Sequence, residues 1–369
     1  MRESQTKLRR FQAGLRKSGI DFAIISSWSR LDINQLYFLG SNIKHTFLLI
    51  PKKGNSIFVV PRFEAERAKR EVRAKVLVIS KNPLKQIKKI AGRFKAKKIG
   101  LNLSFVSVSE YRQIKKILKR KIFDISTLLV QTRMIKDSDE IKTLRHACGL
   151  TDKIMHRVIT NFSTFKTEQE VADFIARQAM AYGCHLSFDT IVASGGAGSM
   201  PHYKPGGRLR KGFCVIDFGI KYKGYCTDIT RTLYLGNPKK EEIMLYNLLL
   251  DAQKNAINMI EPGMKCSVPY FFVKKSLGKY NKNFTHALGH GIGVQIHELP
   301  NLSKNSKEKF TEGMVFTVEP GLYFKGNCGM RIEDDVFIQN GRPVVLTKSQ
   351  KKLITVSIKN KKDRSTINA

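Results

Sequence analysis

Hydrophobic residues along the first 130 positions switch repeatedly between two spacings. Residues 3–18 place Leu8, Phe11 and Leu15 on one face of an amphipathic helix. DFAIIS (21–26) is a short apolar run that predicts a buried strand, and TFLLIP and SIFVVP are two more, joined across a KKGN turn. FEAERAKREV returns to helical spacing, KVLVIS to a strand, and NPLKQIKKIAGRFKA to a helix with Pro83 near its start. KKIGLNL, VSVSEYRQIKKILK and IFDIS complete the series as strand, helix and strand. Such alternation predicts a small α/β domain around a mixed sheet. This region holds no GxGxxG, no P-loop and no cluster of ligating side chains, so no cofactor is expected there.

Past a boundary expected at 128–136 the apolar period lengthens. SDEIKTLRHACGLTDKIMHRVI opens on a Ser-Asp cap and sets Ile141, Leu144, Ala147 and Cys148 at helical spacing. TEQEVADFIARQAMAYG has the same kind of start and stops at Gly183. SFDTIVASG then reads as a strand and SGGAGSMPHYKPGG as a loop. In CVIDFGIKYKGYCTDITRTLYLG apolar residues cluster on both sides of a turn-like KYKG, which predicts a β-hairpin with Asp217 on its first strand and Asp228 on its second. EEIMLYNLLLDAQKNAINMI and VPYFFVKKSLGKY are helical again. A second hairpin pattern runs from VFTVE to MRIED across a Pro-Gly turn and a Gly-rich connection. Two helices and a hairpin, then two helices and a hairpin, make a weak internal repeat.

Both hairpins carry acids where a strand should be buried. Val215, Ile216 and Phe218 surround Asp217, and Ile229, Leu233 and Tyr234 follow Asp228. A buried carboxylate without a partner is protonated or destabilising, and two facing each other are worse. No Lys or Arg lies on the same strand face to neutralise them. A divalent cation removes both costs. Glu319 and Glu333 repeat the arrangement in the second hairpin, and HALGHGIGVQIHELP supplies His290 between the two. Singly, an Asp in a hairpin, an EPG or an HGIG is ordinary. Together Asp217, Asp228, His290, Glu319 and Glu333 form a set of four carboxylates and one imidazole whose hard donors suit Mn, Co, Fe or Zn. Two such ions hold a bridging hydroxide as nucleophile and stabilise a tetrahedral intermediate.

From about residue 133 to 355 the chain resembles the pita-bread metallopeptidase family, which includes methionine aminopeptidase, aminopeptidase P, prolidase and creatinase. The strings DFG…YxxDxTRT, HxxGHGIG…HExP, EPG and RIED are similar to its proline-peptidase branch. The resemblance implies an α+β fold: a small N-terminal α/β domain of the creatinase/prolidase type over 1–130, a pita-bread catalytic domain over 131–358, and a solvated tail at 359–369. It implies that Asp217, Asp228, His290, Glu319 and Glu333 bind two divalent metal ions, manganese foremost with Co, Zn or Fe as alternatives, and that Asp228 and Glu333 touch both. It further implies catalytic roles for His202, His286, His297, Glu319 and Arg331. His202 and His297 would bind substrate, hydrogen-bonding the scissile carbonyl and the growing oxyanion. His286 would stand near the metals, Glu319 would pass a proton from the bridging water to the leaving proline nitrogen, and Arg331 would orient carboxylates. Retention of all five ligands argues against metal-free, creatinase-like activity, and the extra N-terminal domain argues against methionine aminopeptidase.

The implied enzyme is a metal-dependent peptidase acting on proline-containing peptides, with a homodimer as the implied assembly. Many prolidases carry an arginine just after the HExP motif, where it can hold a dipeptide's free carboxylate; here that position is Asn301. The departure favours an Xaa-Pro aminopeptidase, cutting at the N-terminus of longer peptides, over an Xaa-Pro dipeptidase. SGGAGSMPH also lacks an asparagine common in the family, which affects the substrate loop rather than the metals.

Composition bounds the surroundings. A length of 369 residues predicts two domains, and 42% hydrophobic content is ample for packed cores. Six cysteines without a CxxC pair read as reduced thiols of a cytoplasmic protein, with Cys214 and Cys226 as small strand residues and not ligands. The basic N-terminus lacks the apolar core of a secretory signal, and no window reaches the roughly 18 apolar residues of a membrane-spanning helix, so no membrane partner is expected. The formal net charge is +36. Residues 1–130 carry 30 Lys+Arg against 8 Asp+Glu, a net +22, and the remainder 36 against 22, a net +14. The favoured reading is a lysine-rich solvated surface, in stretches such as QIKKIAGRFKAKK and YRQIKKILKRK. Nucleic acid stays open as a partner without being favoured, because no RNA-binding motif or basic-aromatic interleaving stands out. The minor alternative is a catalytically silent nucleic-acid- or ribosome-binding relative on the same fold, although such relatives usually lose metal ligands.

Overall fold

The computed structural model describes residues 3–357, so the tail expected at 359–369 lies outside the described residues. The chain divides into two compact units, Met1–Arg133 and Met134–Ala369.

The first unit is a six-stranded mixed sheet in the order Lys75–Val78, Ile57–Val60, Thr46–Pro51, Phe22–Ser27, Lys98–Leu101, Lys121–Asp124. The middle pairs are antiparallel and the outer ones parallel. The parallel crossovers are the helices Ala65–Glu71, Pro83–Arg93 and Val108–Leu118. The second of these has Asn82 as its cap and Pro at its start, and the third is capped by Ser107. Their apolar stripes, Ile87, Ile90 and Ala91 on one and Ile114 and Leu118 on the other, pack with Phe22, Ile24, Ile99 and Leu101 of the sheet. Two helices escaped the periodicity reading. Ile33–Leu39 is only two turns long, bounded by an Asp32 cap and a left-handed Gly40. Ser126–Met134 runs through the stretch where a boundary was expected, with Asp124 accepting from the Ser126 N–H at its start.

The second unit repeats one design twice. In its first half, helices Ser138–Asn161 and Glu168–Ala181 precede the antiparallel pair Gly212–Phe218 and Ile229–Leu235, which sits in a four-stranded sheet with Ile191–Ser194 and Ile354–Val356. In its second half, helices Lys240–Asn258 and Val268–Ser276 precede the pair Val315–Val318 and Asp334–Gln339. The first helix is capped by Asp137 in a reciprocal capping box with Glu140, one residue before the expected Ser-Asp cap. Two buried apolar clusters fill the spaces between helices and sheets, one built on Leu150, Ile154 and Val171 with Ile216 and Leu233, the other on Tyr246, Leu249 and Leu250 with Phe316 and Val336.

Each hairpin is broken in the middle. In the first, the paired strands stop at Phe218 and resume as a small ribbon, Ile220–Tyr222 with Tyr225–Cys226, closed by Lys223 and Gly224 at positive φ. Asp228 therefore lies just outside the second strand, in the break, and not within it as expected. In the second, the ladder stops at Val318 and Asp334 and resumes as Gly321–Phe324 with Cys328–Arg331, so Glu319 and Glu333 also lie in a break. At the first break the backbones approach closely, where a Cβ at Gly219 would overlap the Thr227 carbonyl; beside the second hairpin a Cβ at Gly289 would overlap the Thr317 carbonyl.

Candidate active site

Alternation along the broken hairpins sorts charged side chains onto two faces. Asp217 stands opposite Thr230 in register, and Asp228 lies two residues before Thr230, so all three share a face. Thr317, Glu319, Arg331 and Glu333 follow the same parity in the second hairpin. The side chains on this face meet at a cavity of about 950 Å³ whose wall includes Asp217, Asp228, His290, Glu319 and Glu333 together with His202, His286, His297 and Arg331. Every site residue expected from the sequence reaches this one cavity.

Ligating atoms of Asp228, His290 and Glu333 lie within 4.8 Å of one another. His290 Nε2 is 3.3 Å from Glu319 Oε1 and 3.6 Å from Asp228 Oδ2. The Gly291 carbonyl, 3.1 Å from His290 Nδ1, can only accept, so Nδ1 carries the proton and Nε2 presents its lone pair to the carboxylates. Burial, with His297 alongside, pushes the His290 pKa down to about 3, which keeps the ring neutral. The carboxylates move the other way. Burial and then Glu333 raise Asp228 well above the carboxylate range; burial and then Glu319 do the same to Glu333. Glu319 is pushed up to about 8, chiefly by burial, against the pull of Arg331.

The residues fit a divalent cation. Asp217 Oδ1 and Asp228 Oδ1 are buried and accept no hydrogen bond from the protein, a costly state for a carboxylate oxygen. A neutral imidazole with a free nitrogen and several mutually repelling, water-excluded carboxylates complete a hard donor set for which positive charge is the missing term.

Side chains that the sequence reading passed over fix this geometry. Thr230 Oγ1 donates to Glu333 Oε2 at 2.6 Å, and Thr317 Oγ1 donates to Glu319 Oε1 at 3.2 Å while accepting from the His290 N–H at 3.1 Å. Arg331 pairs with Asp217 Oδ2, supplying from the other hairpin the cation that the Asp217 strand lacks. Its Nη1 also donates to Tyr323 Oη at 2.6 Å. The Tyr323 hydroxyl donates in turn to His286 Nε2 at 3.0 Å, because His286 Nδ1–H is engaged with the Ala287 carbonyl at 2.7 Å. His286 is thus a neutral acceptor, pushed down to about 4 mainly by burial. Asp335 Oδ2 accepts from the Asp228 N–H at 3.1 Å. The signal that would have found Thr230, Thr317 and Tyr323 is the two-residue period itself: Thr230 stands two from Asp228, Thr317 two from Glu319, and Tyr323 shares its ribbon with Arg331.

His297 packs edge-on against His290, ring centroids 4.2 Å apart, and is otherwise exposed, with its pKa lowered by desolvation and by His202. His202 and His297 line the cavity together with Asn301, Lys204, Gln169 and Asp173, and all six are exposed.

The opposite face is occupied by a second charged group. Arg231, one of the largest fully buried side chains, donates from Nη2 to Asp334 Oδ1 at 2.8 Å and from Nη1 to the Glu333 carbonyl at 2.5 Å and the Thr230 carbonyl at 2.9 Å. Lys351 and Gln253 reach Asp334 Oδ2 at 2.7 and 2.8 Å. Burial alone would raise Asp334; Arg231 and Lys351 outweigh it and hold the carboxyl low. The run Glu333-Asp334-Asp335 is thus split by parity. The outer two lie on the cavity face, and the middle one is neutralised behind the sheet.

A two-fold repeat of broken hairpins, with acids at the breaks and an imidazole between them, is the arrangement of a metallopeptidase. Residues 142–340 match metallopeptidase family M24, and residues 7–135 match the creatinase/prolidase N-terminal domain. The chain belongs to metallopeptidase family M24, and it has the α+β, pita-bread architecture expected from the resemblance. An uncharacterized peptidase of Staphylococcus aureus is 32% identical over 339 residues, covering 88% of this chain and 95% of its own length. Among solved structures, an Xaa-Pro dipeptidase from Bacillus anthracis superposes with a TM-score of 0.89 at 29% identity, covering 96% of this chain and 100% of that one. An X-Pro aminopeptidase from Thermotoga maritima gives a TM-score of 0.87 at 30% identity over 93% of this chain and 100% of that one.

Proposed function

We propose that the protein is an Xaa-Pro aminopeptidase whose Asp217, Asp228, His290, Glu319 and Glu333 hold two divalent metal ions, manganese foremost. The observation that carries the reading is the convergence of these five side chains, with two buried carboxylate oxygens left without a donor, on one cavity. Bound there, divalent cations supply Lewis acidity toward the scissile carbonyl and a water of lowered pKa. The chain's own residues do the rest. Glu319 accepts the proton of the attacking water and delivers it to the departing proline nitrogen. His202 and His297, both on the open wall, donate to the carbonyl oxygen as its negative charge grows. Arg331 pairs with Asp217 and aims it, and through Tyr323 it also orients His286.

An Xaa-Pro bond is a tertiary amide without N–H, and its fixed ring excludes it from most peptidase clefts. A site that fits the ring and leaves room for a single residue on the N-terminal side selects it. Asn301 on the cavity wall offers no cation for a dipeptide's carboxylate, which favours substrates that continue beyond proline. The second reading, an Xaa-Pro dipeptidase, is supported by Lys204, a cation on the same wall, and by the naming of the B. anthracis neighbour. A homodimeric, cytoplasmic enzyme with a catalytic domain over 131–358 belongs to the same proposal.

Hydrolysis of Met-Pro and of Met-Pro-Ala by manganese-loaded protein, with a chelated control, tests it. Tripeptide cleavage with little dipeptide cleavage is the expected result. Preference for Met-Pro makes the enzyme a dipeptidase that holds the carboxylate through another residue. No cleavage of either by metal-replete protein removes the proposal.

A further inference from the structure

The basic residues of the first unit are not spread evenly. Residues 81–121 contain fourteen Lys and Arg and a single acid, Glu110. All fourteen are exposed, and among the described residues none forms an ion pair. The nearby acids are already engaged. Glu110 accepts from Ser26, Asp124 caps the Ser126 turn, and Asp21 takes the Lys52 amine at 2.7 Å and the backbone N–H groups of Lys97 and Lys98.

Helix Ala65–Glu71 behaves differently. There Arg67 pairs with Glu71 at 2.7 Å and Lys69 with Glu66 at 2.8 Å. A lysine-rich composition alone would leave the helices alike. Helix C-termini favour cations, which accounts for Arg93, Lys115 and Lys116 in last turns. They do not account for Lys85, Lys88, Lys89 and Arg112 earlier in the same helices.

Topology gathers these residues. Helices Pro83–Arg93 and Val108–Leu118 pack side by side on the sheet through Ile87, Ile90, Ile114 and Leu118, so their lysines share one outward face. Their chain ends lead to Lys95 and Lys97 and to Lys119 and Arg120. An aromatic ring sits among them: Phe94, at the end of the first helix, is 39% exposed. Lys98, Lys121 and Phe123 alternate with Ile99 and Ile122, which pack under the helices, so they stand on the opposite surface of the sheet. The apolar stripes of both helices are buried, which leaves no face to enter a bilayer.

We propose that this face binds single-stranded nucleic acid. Backbone phosphates would run along the lysines of the two helices, and bases would stack on Phe94 by the helix ends. The sequence reading favoured a solvated surface because the basic and aromatic residues are interleaved only after folding.

The test is fluorescence anisotropy of a labelled 20-nucleotide oligouridylate with the full chain, titrated across salt. Wild-type binding is expected to weaken steeply with salt. The variant K88E/K89E/K115E/K116E loses at least about tenfold in affinity, and its log–log salt slope flattens by about 3, at roughly 0.7 per phosphate contact. F94S weakens binding several-fold and leaves the slope unchanged. K254E/K275E/K279E/K282E changes net charge by the same amount on the second unit and stays within about twofold of wild type. Unchanged peptide hydrolysis and circular dichroism in each variant establish that it is folded. Equal losses in the two quadruple variants would reduce the effect to net charge and overturn the proposal. So would capture by phosphatidylserine vesicles without oligonucleotide binding at about 100 mM salt, which would make the face a lipid-binding one.

Discussion

In the second unit the decisive charges are inside, whereas in the first they are outside. Asp217, Asp228, Glu333, Asp334 and Arg331 are all buried, while the fourteen cations between residues 81 and 121 are all exposed. Water screens exposed charges, so the first unit tolerates a run of unpaired lysines at little cost to its fold. Burial removes that tolerance. Each interior carboxylate must find a cation, a hydrogen-bond donor or a proton. Asp334 finds Arg231 and Lys351, and Asp217 finds Arg331, but Asp228, Glu319 and Glu333 largely face one another. The unmet demand marks the site: Asp334, behind the hairpins, is neutralised by the protein, whereas Asp228, Glu319 and Glu333, before them, are not.

The sharpest break of this contrast is Asp228→Ala. Losing a proposed ligand should cut hydrolysis by at least about a thousandfold. The metal-free variant should melt no lower than metal-free wild type, because one of several repelling carboxylates has gone. Near-wild-type turnover would remove the two-metal assignment. Arg231→Leu tests the opposite face. It leaves Asp334 buried with Lys351 as its one remaining cation, and destabilisation of about 3–5 kcal/mol is expected in chemical denaturation. A change below about 1 kcal/mol would mean that the arginine is replaceable by solvent.

The smallest expected effect is on pH dependence. In metal-free protein the folded-state pKa of Glu319 is raised to about 8, Asp228 is raised by burial and Glu333, and Glu333 by burial and Glu319. These carboxylates keep protons that the unfolded chain loses above about pH 4.5, while buried, neutral His286 and His290 lack protons that the unfolded chain holds below about pH 6.5. The two oppose each other below about pH 6.5, and above it the carboxylates make stability fall as pH rises to about 8. Chelated protein should therefore lose several degrees of melting temperature relative to metal-loaded protein between about pH 6.5 and pH 8, and metal uptake at about pH 7 should release protons. A constant difference between the two forms across that range would contradict the mutual repulsion of the site carboxylates.

Much of the site was legible beforehand because its members sit at local breaks in apolar periodicity. Acids inside VIDF, FTVE and RIED stand out against runs that otherwise read as buried strand, and a cation was the economical inference. The residues that hold those acids were not legible in the same way. Thr230, Thr317 and Tyr323 are ordinary strand residues until the partner strand is known, and Asp228 was assigned to a strand although it lies in the break beside it.

Periodicity, caps and turn residues are properties of a few neighbouring positions, and by themselves they specified the α/β first domain, the helix-hairpin repeat of the second and the identity of the acids. Other features depend on pairs remote in the chain. Arg331 and Asp217 are 114 residues apart, and Arg231 and Asp334 are 103 apart. Lys98 and Lys121 share an edge only through sheet order. Which carboxylate receives an arginine, which is left for a metal, and which lysines form one surface were decided by the tertiary structure, because charge is compensated through space and the local pattern carries no record of what lies across it.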